Sequence, residues 1–306
     1  MSTEPLEQGR RPVPTTERTR IAIPRRRVKA RRYNSSDNAG LALSDAVDFW
    51  SFAGAAANVV MQLSWPEVGY GVVESRVQSG SLMHHPWKRA RTTTQYLAVA
   101  ILGTDDERAA YRDAVNGAHR QVRSHSGSPV TYNAFDRTLQ MWVAACLYVG
   151  FEDTYQLLHG RMTVPEREHF YSTAMPLGTT LQVTEDQWPP TRADFDDYWN
   201  IACRRIHIDD RVRSYLLALV DLEMVRLPLR VTFAPLLRFL TLGTLAPVFR
   251  DAMGLDWSER DQRRFERLFV LVAAVNRVLP RFVRQGATRV LMGDVRRRIR
   301  RHKALV

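Results

Sequence analysis

The sequence predicts an all-α fold in one large helical domain. Apolar residues recur three and four positions apart along most of the chain, as they do on one face of an α-helix. Several of these segments begin with a Ser or Thr that is followed three residues later by Glu or Asp, a pattern typical of a helix N-terminus. No series of alternating segments, glycine-rich phosphate loop or internal repeat occurs beside them. A helical domain without a sheet accounts for these observations.

The expected helices follow one another with short connections. Ser44 can cap the first helix, and Pro66 stands in the first turn of the second. Prolines interrupt the helical pattern of residues 211–254. A short extended piece is allowed for at residues 181–183. The helices are expected at residues 45–60, 66–73, 87–102, 104–122, 136–158, 163–174, 191–202, 211–254, 258–275 and 288–303.

Two of these helices organise the others. The segment at residues 136–158 is apolar on more than one side, so it is expected at the centre of the core. The segment that begins at the capping box of Thr104 and Glu107 carries His119 on the same apolar stripe as Tyr111. The imidazole of His119 is therefore expected to point inward.

Positive charge is concentrated at the two ends of the chain. Of the formal net charge of +12, residues 1–32 carry +7, from ten Arg or Lys and three Glu. Residues 289–303 carry +6, from seven Arg or Lys and one Asp, which leaves −1 for the body. We expect a disordered basic arm at residues 1–38, a helical domain at 39–287 and a basic C-terminal helix or tail at 288–306. Basic tails on a neutral body favour a solvated terminus or contact with an anionic surface over a nucleic-acid groove.

Composition narrows the class of protein further. Hydrophobic residues make up 45% and charged residues 25% of the chain, which is ordinary for a globular protein and argues against general disorder. No apolar run is long enough for a membrane span, and the N-terminus lacks the pattern of a signal peptide. Cys146 and Cys203 stand in helical segments without metal-ligand spacing and are expected to be buried thiols. A cytoplasmic protein is expected.

His119 is the first candidate for chemistry. A lone histidine on an apolar helical face can be a core residue with one satisfied nitrogen, or it can bind a metal. Zinc would require further ligands at short spacing, and no such pattern is present. Haem iron requires little more than one neutral imidazole whose second nitrogen is fixed by a carbonyl or carboxylate.

Arg89 and Thr93 are the next candidates. They stand four residues apart and therefore share a helical face. An arginine there can pair with a carboxylate or a bound oxygen species, and a hydroxyl beside it can add a hydrogen bond. The alternative is that Lys88, Arg89 and Arg91 form a solvated basic face.

The order of several short motifs resembles the rubber-oxygenase family, which includes latex-clearing protein and the MpaB-type oxygenases. The motifs are Arg89-x-x-x-Thr93-x-x-Tyr96-Leu97, Gly103-Thr104, Val115-Asn116-x-x-His119-x-x-Val122, Tyr132-Asn133-Ala134-x-Asp136 and Leu139-x-x-Trp142-Val143. The similarity extends from about Asn58 to about Trp199. It implies an all-helical domain with a globin-like core that binds haem b, with His119 as the proximal iron ligand. It also implies that Arg89 and Thr93 flank the haem.

The sequence departs from this family at two points. Rubber oxygenases can carry a lysine immediately before the threonine of the first motif, whereas this chain has Thr92. The distal ligand is therefore left open among water, His84, His85 and Lys88. The absence of an export signal argues against rubber as the substrate and favours a small apolar or natural-product-like molecule.

These observations lead to the expectation of a haem b-dependent oxygenase or other oxidoreductase that uses dioxygen and an unknown electron donor. Arg89 and Thr93 would be the catalytic side chains, and the neighbourhoods of Val72, Trp87 and Trp142 would line the pocket. One alternative is a haem-binding sensor or carrier without turnover. Another is a helical protein that binds nucleic acid or an anionic membrane through its basic tails.

Overall fold

The computed structural model describes residues 16–23, 40–75, 77 and 81–306. In these ranges the chain forms α-helices and short 3₁₀ helices without a β-strand, which confirms the predicted all-α class. Of the residues expected to form a short extended piece, 181 and 182 lie in a turn and 183 has no regular secondary structure. No helix in this part of the chain is both long and apolar enough to cross a membrane.

The helices are numbered in chain order. They are α1 (Thr16–Thr19), α2 (Ala55–Leu63), α3 (Pro66–Val73), α4 (Pro86–Leu102), α5 (Asp105–His119), α6 (Arg137–His159), α7 (Val164–Ser172), α8 (Pro176–Thr179), α9 (Arg192–Ala202), α10 (Asp210–Val220), α11 (Leu227–Thr244), α12 (Pro247–Met253), α13 (Glu259–Val278), α14 (Arg281–Arg284) and α15 (Gly286–Arg300). The 3₁₀ helices lie at Leu43–Ala46, Phe49–Gly54, Glu185–Gln187 and Cys203–Arg205.

Side-chain caps determine where several helices begin. The caps predicted for α5, α7, α9 and α13 are all formed, by Thr104, Thr163, Thr191 and Ser258. Each hydroxyl accepts a hydrogen bond from the backbone N–H three residues later, and the acidic side chain at that position accepts one from the backbone N–H of the cap. Because these bonds satisfy free N–H groups locally, the helix starts are readable from the sequence.

The prediction that Ser44 caps a helix over residues 45–60 is wrong. Ser44 lies inside the 3₁₀ helix Leu43–Ala46, and α2 begins only at Ala55. The Asp45 side chain accepts a hydrogen bond from the Ala42 N–H at 3.0 Å, which makes Ala42 the residue that starts the turn. The apolar pattern there reflects two short 3₁₀ helices that pack on α6.

Helix α6 lies at the centre of the molecule, as its pattern predicts. Most of its residues are buried, and it contacts α2, α8, α13 and the two 3₁₀ helices that precede α2. A helix surrounded on every side has no face for water, so its buried polar side chains depend on partners inside the protein. Glu152 and Gln140 have such partners, whereas the Tyr148 hydroxyl has none among the described residues.

Three stacked indoles form the middle of the core. Trp142 of α6 lies between Trp65 at 4.8 Å and Trp199 at 5.2 Å, measured between ring centroids. The N–H groups of Trp65, Trp142 and Trp199 donate to the backbone carbonyls of Ala202, Gln62 and Thr19 at 3.1, 3.0 and 3.1 Å, respectively. The guanidinium of Arg205 covers the outer face of the stack, 3.6 Å from the Trp65 ring centroid. Large apolar area is thus buried without an unsatisfied indole N–H.

Glu152 of α6 is fully buried and forms ion pairs with three arginines. Arg192 of α9 donates to its carboxylate at 2.8 and 3.1 Å, Arg167 of α7 donates at 3.0 Å, and Arg20 pairs with Glu152 and with the adjacent Asp153. Desolvation raises the pKa of Glu152, but the charges and hydrogen bonds of the three arginines outweigh it and hold that pKa well below its usual value. This cluster joins α6, α7, α9 and the segment after α1.

A second, smaller core cluster joins α15 to α4 and α5. It contains Val99, Tyr111, Met292, Val295 and Leu305. On its rim, Arg296 donates to Glu107 at 2.7 Å, and Arg298 donates to Asp294 at 2.6 Å. Part of the positive charge near the C-terminus is therefore paired within the fold.

The expected division at residues 38 and 288 stays a prediction. Most of the expected basic arm, residues 1–15 and 24–38, lies outside the described residues. Within the arm, the described segment contains α1, the buried Ile21 and the Arg20 ion pairs. The expected C-terminal tail includes most of α15, which packs on α4.

We predict that Glu152→Gln destabilises the fold by about 3–5 kcal/mol, because it removes the buried charge shared by three arginines and leaves Arg20 paired only with Asp153. The measurement is the free energy of unfolding in urea near neutral pH. Glu259→Gln, which removes an exposed ion pair with Arg263, is the matched control and should change stability by less than about 0.5 kcal/mol.

The difference between wild type and Glu152→Gln should also depend on pH. Since the folded pKa of Glu152 is lowered, its stabilising contribution is present above the unfolded pKa, roughly 4.3, and is lost as pH falls toward the folded pKa. A difference that stays constant through that range would contradict the role of the Glu152 charge.

Candidate functional site

The structure places His119 at the last residue of α5. The capping box of Thr104 and Glu107 starts this helix, and its C-cap is Arg120. The His119 ring is partly buried and meets the Phe135 ring edge to face, at 6.2 Å between centroids. The chain returns to this position because Arg123 and Asn133 form an antiparallel bridge across the loop after α5.

The His119 imidazole is neutral and has no hydrogen-bond partner in the described part of the chain. Its Nδ1 atom is buried and unsatisfied. Desolvation and the charge of Arg89 lower the pKa of His119 to about 4. A helix C-terminus normally favours a protonated histidine, so these two effects outweigh the helix dipole. A neutral imidazole with unshared nitrogens can act as a metal ligand.

The expectation that a carbonyl or carboxylate fixes the second ring nitrogen is not met among the described residues. A buried nitrogen without a partner costs about 1–3 kcal/mol in the absence of compensation, and His119 Nδ1 is one of thirteen such side-chain atoms in the described residues. A ligand bound at this ring would provide that compensation.

Arg89 of α4 lies close enough to His119 for its charge to act on the ring. Solvent reaches Arg89, yet the surrounding protein lowers its pKa by desolvation, with Tyr215 of α10 and Tyr111 acting in the opposite direction. Both observations hold for a side chain that protein partly surrounds and that water still reaches. Arg89 has no ion pair with the described residues, so its guanidinium is free to bind an anion.

Thr93 lies one turn after Arg89 on the same face of α4. It is half-buried, and its hydroxyl makes no hydrogen bond to the residues that the structure describes. Further along this face, the Tyr96 hydroxyl donates to the Leu177 carbonyl at 2.7 Å and fixes α4 on α8. The structure thus brings Arg89 to His119, and it sets Thr93 beside Arg89.

Four polar side chains hold the His119 helix in place, and the sequence interpretation assigned no role to them. Arg112 of α5 donates to the carbonyls of Thr180 and Thr179 at 2.8 and 3.3 Å. Asn116, one turn before His119, accepts from the Gln182 amide at 2.6 Å, and Gln182 in turn pairs with Gln140 of α6. In the sequence, this network could have been suspected only from Gln140, a glutamine among the apolar residues at the start of α6.

The Glu74 carboxylate also holds the loop that follows His119 in place through hydrogen bonds. Glu74, next to α3, accepts from Ser128 at 2.7 Å, from Tyr132 at 3.1 Å and from Arg211 at 2.9 Å. Burial raises the pKa of Glu74, and these hydrogen bonds with the Arg211 charge lower it more. The loop that carries Phe135 is therefore anchored to α3 and α10.

Other residues considered from the sequence lie elsewhere. His84 and His85 are exposed, and the His84 ring is 2.9 Å from the Ser81 hydroxyl. Trp87 is 75% exposed, whereas Trp142 is fully buried in the indole stack, so neither supports the expected lining of a pocket. Thr92 is buried, and its carbonyl accepts from the Tyr111 hydroxyl at 2.7 Å.

The donor set at this site fits a haem iron better than a metal ion held by protein alone. No three His, Cys, Asp or Glu side chains in the described ranges are placed to hold a metal ion together. Haem supplies most of its own ligands and requires one neutral imidazole, which His119 offers. Its propionates require a cation, and Arg89 is free.

The chain is similar to proteins of one known family. A model of the family described as "ER-bound oxygenase mpaB/B'/Rubber oxygenase, catalytic domain" matches residues 46–274. An uncharacterized protein of Mycobacterium tuberculosis, Rv2237, is 47% identical over 251 residues, which are 82% of this chain and 98% of that protein. The uncharacterized protein Mb2261 of Mycobacterium bovis is similar to the same extent. No solved structure matches the chain.

We predict that Gln140→Leu destabilises the protein by about 1–3 kcal/mol, because it leaves Gln182 and the Ala134 carbonyl without their partner. Unfolding in urea measures the change. Gln121→Leu is the matched control, since Gln121 is exposed just after α5. Equal stabilities of the two variants would contradict a structural role of the amide network.

Proposed function

This chain belongs to the mpaB and rubber-oxygenase family, and we propose that it is a haem b-dependent oxygenase for a small apolar organic substrate. The family is of the oxygenase type, which supports an enzyme that acts on an organic substrate with dioxygen. The cofactor, its ligand and the nature of the substrate are parts of the proposal.

The observation that carries the proposal is the neutral, unpartnered imidazole of His119 beside the free guanidinium of Arg89. His119 would be the protein ligand of the iron. Its ring is already deprotonated near neutral pH, so binding would not require the loss of a proton. The amide network of Asn116, Gln182 and Gln140 would keep α5, and with it the ring, in one position.

Arg89 and Thr93 would act beside the cofactor. The guanidinium of Arg89 can pair with a propionate, or it can stabilise negative charge that develops during the reaction. The Thr93 hydroxyl can donate a hydrogen bond to the same region. Desolvation around Arg89 strengthens either interaction, because charges attract more strongly where water is partly excluded.

Haem, when bound, would supply the activation of dioxygen, which no side chain of the chain can perform alone. An electron donor would be required if the reaction is not a dioxygenation. We retain a cytoplasmic location as part of the proposal, in accord with the two free, buried thiols of Cys146 and Cys203.

A haem-binding sensor or carrier would use the same His119 site. It differs from an oxygenase in one measurable property, since it would bind haem without substrate-dependent uptake of dioxygen. Binding of nucleic acid through the tails is less favoured, because Arg296 and Arg298 of α15 already pair with carboxylates.

We predict that the protein purified from haem-replete cells shows a Soret band with about one haem per chain, and that His119→Ala loses it. The measurement is the visible absorption spectrum together with haem content. His84→Ala removes an exposed histidine and should retain the band. A colourless wild type, even after reconstitution with haem, would overturn the proposal.

We also predict that Arg89→Gln releases haem faster. Loss of a charge-assisted hydrogen bond to a propionate is worth roughly 1.5–3 kcal/mol, so the dissociation rate should rise by about tenfold or more. Transfer of haem to excess apomyoglobin measures this rate. Arg204→Gln, at an exposed position in the 3₁₀ helix Cys203–Arg205, is the control. Equal rates for Arg89→Gln and wild type would remove Arg89 from the cofactor site.

A further inference from the structure

Exposed apolar side chains are concentrated on α11 and on the segment from α13 to α15. In the described part of the chain, twelve exposed large apolar residues lie between positions 227 and 290, and four lie elsewhere. The twelve, which we name the apolar patch, are Leu227, Leu229, Val231, Phe233, Leu236, Val270, Leu271, Val275, Val278, Phe282, Val283 and Val290. Exposed apolar side chains concentrated in this way are typical of a surface that binds another protein or a membrane.

The patch is held together by helix packing. Helix α11 contacts α13 directly, with Phe239 6.2 Å from the Phe265 ring and Gly243 pressed against the same ring. Helix α14 follows α13 after two residues and contacts α15. The exposed residues thus belong to neighbouring elements of one body.

The first half of α11 projects from that body. Residues 226–229, 231–233, 235 and 236 are all exposed, so water surrounds most of the circumference of the helix there. Leu227 is 69% exposed and Phe233 is 51% exposed. An ordinary surface helix buries its apolar stripe, whereas this one exposes apolar residues on several sides.

The unpaired charge around the patch is positive. Four of its arginines, Arg230, Arg238, Arg281 and Arg284, pair with carboxylates of neighbouring segments. From Met224 to Arg250 the chain contains four arginines and no Asp or Glu, and from Arg267 to Gly293 it contains five arginines and no Asp or Glu. Four of these arginines are exposed and have no ion pair with the described residues, namely Arg226, Arg267, Arg277 and Arg289. Apolar side chains together with unpaired arginines favour an occupant that is both apolar and negatively charged.

We infer that the apolar patch docks on an anionic lipid bilayer, with the first half of α11 inserted at the headgroup level and the arginines on lipid phosphates. Fluid lipid can surround a projecting apolar helix, which a rigid protein surface cannot do equally well. Arginine can keep its charge at the headgroups while its stem lies along apolar groups. The chain would lie on the bilayer, as amphipathic helices do, because no helix in the described ranges can cross it.

Two alternative occupants, the basic arm of this chain and a second copy of it, fit the positive charge of the patch less well. Residues 24–39 of this chain carry six Arg or Lys and one Asp, so they would bring positive charge to a positive surface. A second copy docked through the same patch would bring a second set of unpaired arginines into one interface, because a two-fold interface uses the same surface of both copies.

The test is co-sedimentation of the full chain with vesicles. Vesicles of phosphatidylcholine with roughly one-quarter phosphatidylglycerol should bind it at least about tenfold more strongly than pure phosphatidylcholine vesicles, and high salt should weaken the binding. The double variants Leu229→Glu with Phe233→Glu, and Val278→Glu with Phe282→Glu, should each lose about tenfold or more in affinity. All four side chains are exposed, so folding should be retained, and circular dichroism verifies it.

Two controls distinguish vesicle binding through the apolar patch from binding through other parts of the chain. Val164→Glu alters an apolar residue that is 71% exposed on α7, and it should bind like wild type. Replacement of Arg25, Arg26 and Arg27 by Gln tests the basic arm. The inference is overturned if the patch variants bind as wild type does, if only the arm variant loses binding, or if the patch variants instead convert a dimer into a monomer in size-exclusion chromatography.

Discussion

The burial of α6 is the constraint on which the rest of the structure depends. A helix enclosed on all sides cannot leave a polar group to water, and this one carries Glu152 and Gln140 at buried positions. Glu152 is satisfied by arginines from α7, from α9 and from the segment after α1, so elements distant in sequence are held to one charge. The cluster stabilises the fold only while all its members are present, because burying an arginine without the carboxylate would leave its desolvation penalty uncompensated.

At the opposite end of α6, a buried polar side chain also finds hydrogen-bond partners, and these lie next to the candidate site. Gln140 satisfies Gln182 and the Ala134 carbonyl, and Gln182 reaches Asn116 on the helix of His119. Asn116, Gln182 and Gln140 are therefore paired. His119 Nδ1, the Arg89 guanidinium, the Thr93 hydroxyl and the buried Thr180 hydroxyl have no hydrogen-bond partner among the described residues. This contrast between a paired amide network and the unpaired groups of His119, Arg89 and Thr93 favours these side chains as the place where a ligand would bind.

Local signals made much of the fold predictable. The caps of α5 and α13 require only residues three positions apart, and the burial of α6 follows from its apolar composition. The start proposed at Ser44 was wrong, since tertiary contacts with α6 favour short 3₁₀ helices over one regular helix there. Trp142 could not be assigned from its pattern alone, because an indole in the core and one lining a pocket have the same helical spacing.

By itself, the sequence determined the all-α class, the main helix starts, the family through the order of its motifs, and the candidates Arg89, Thr93 and His119. These properties depend on neighbouring residues or on motif order. Only the tertiary structure decided that Arg89 acts on His119, that Gln182 links α5 to α6, and that the apolar residues of α11 stay exposed. The physical reason is that electrostatic influence, hydrogen bonding and burial depend on distances between residues far apart in the chain, which helical periodicity does not encode.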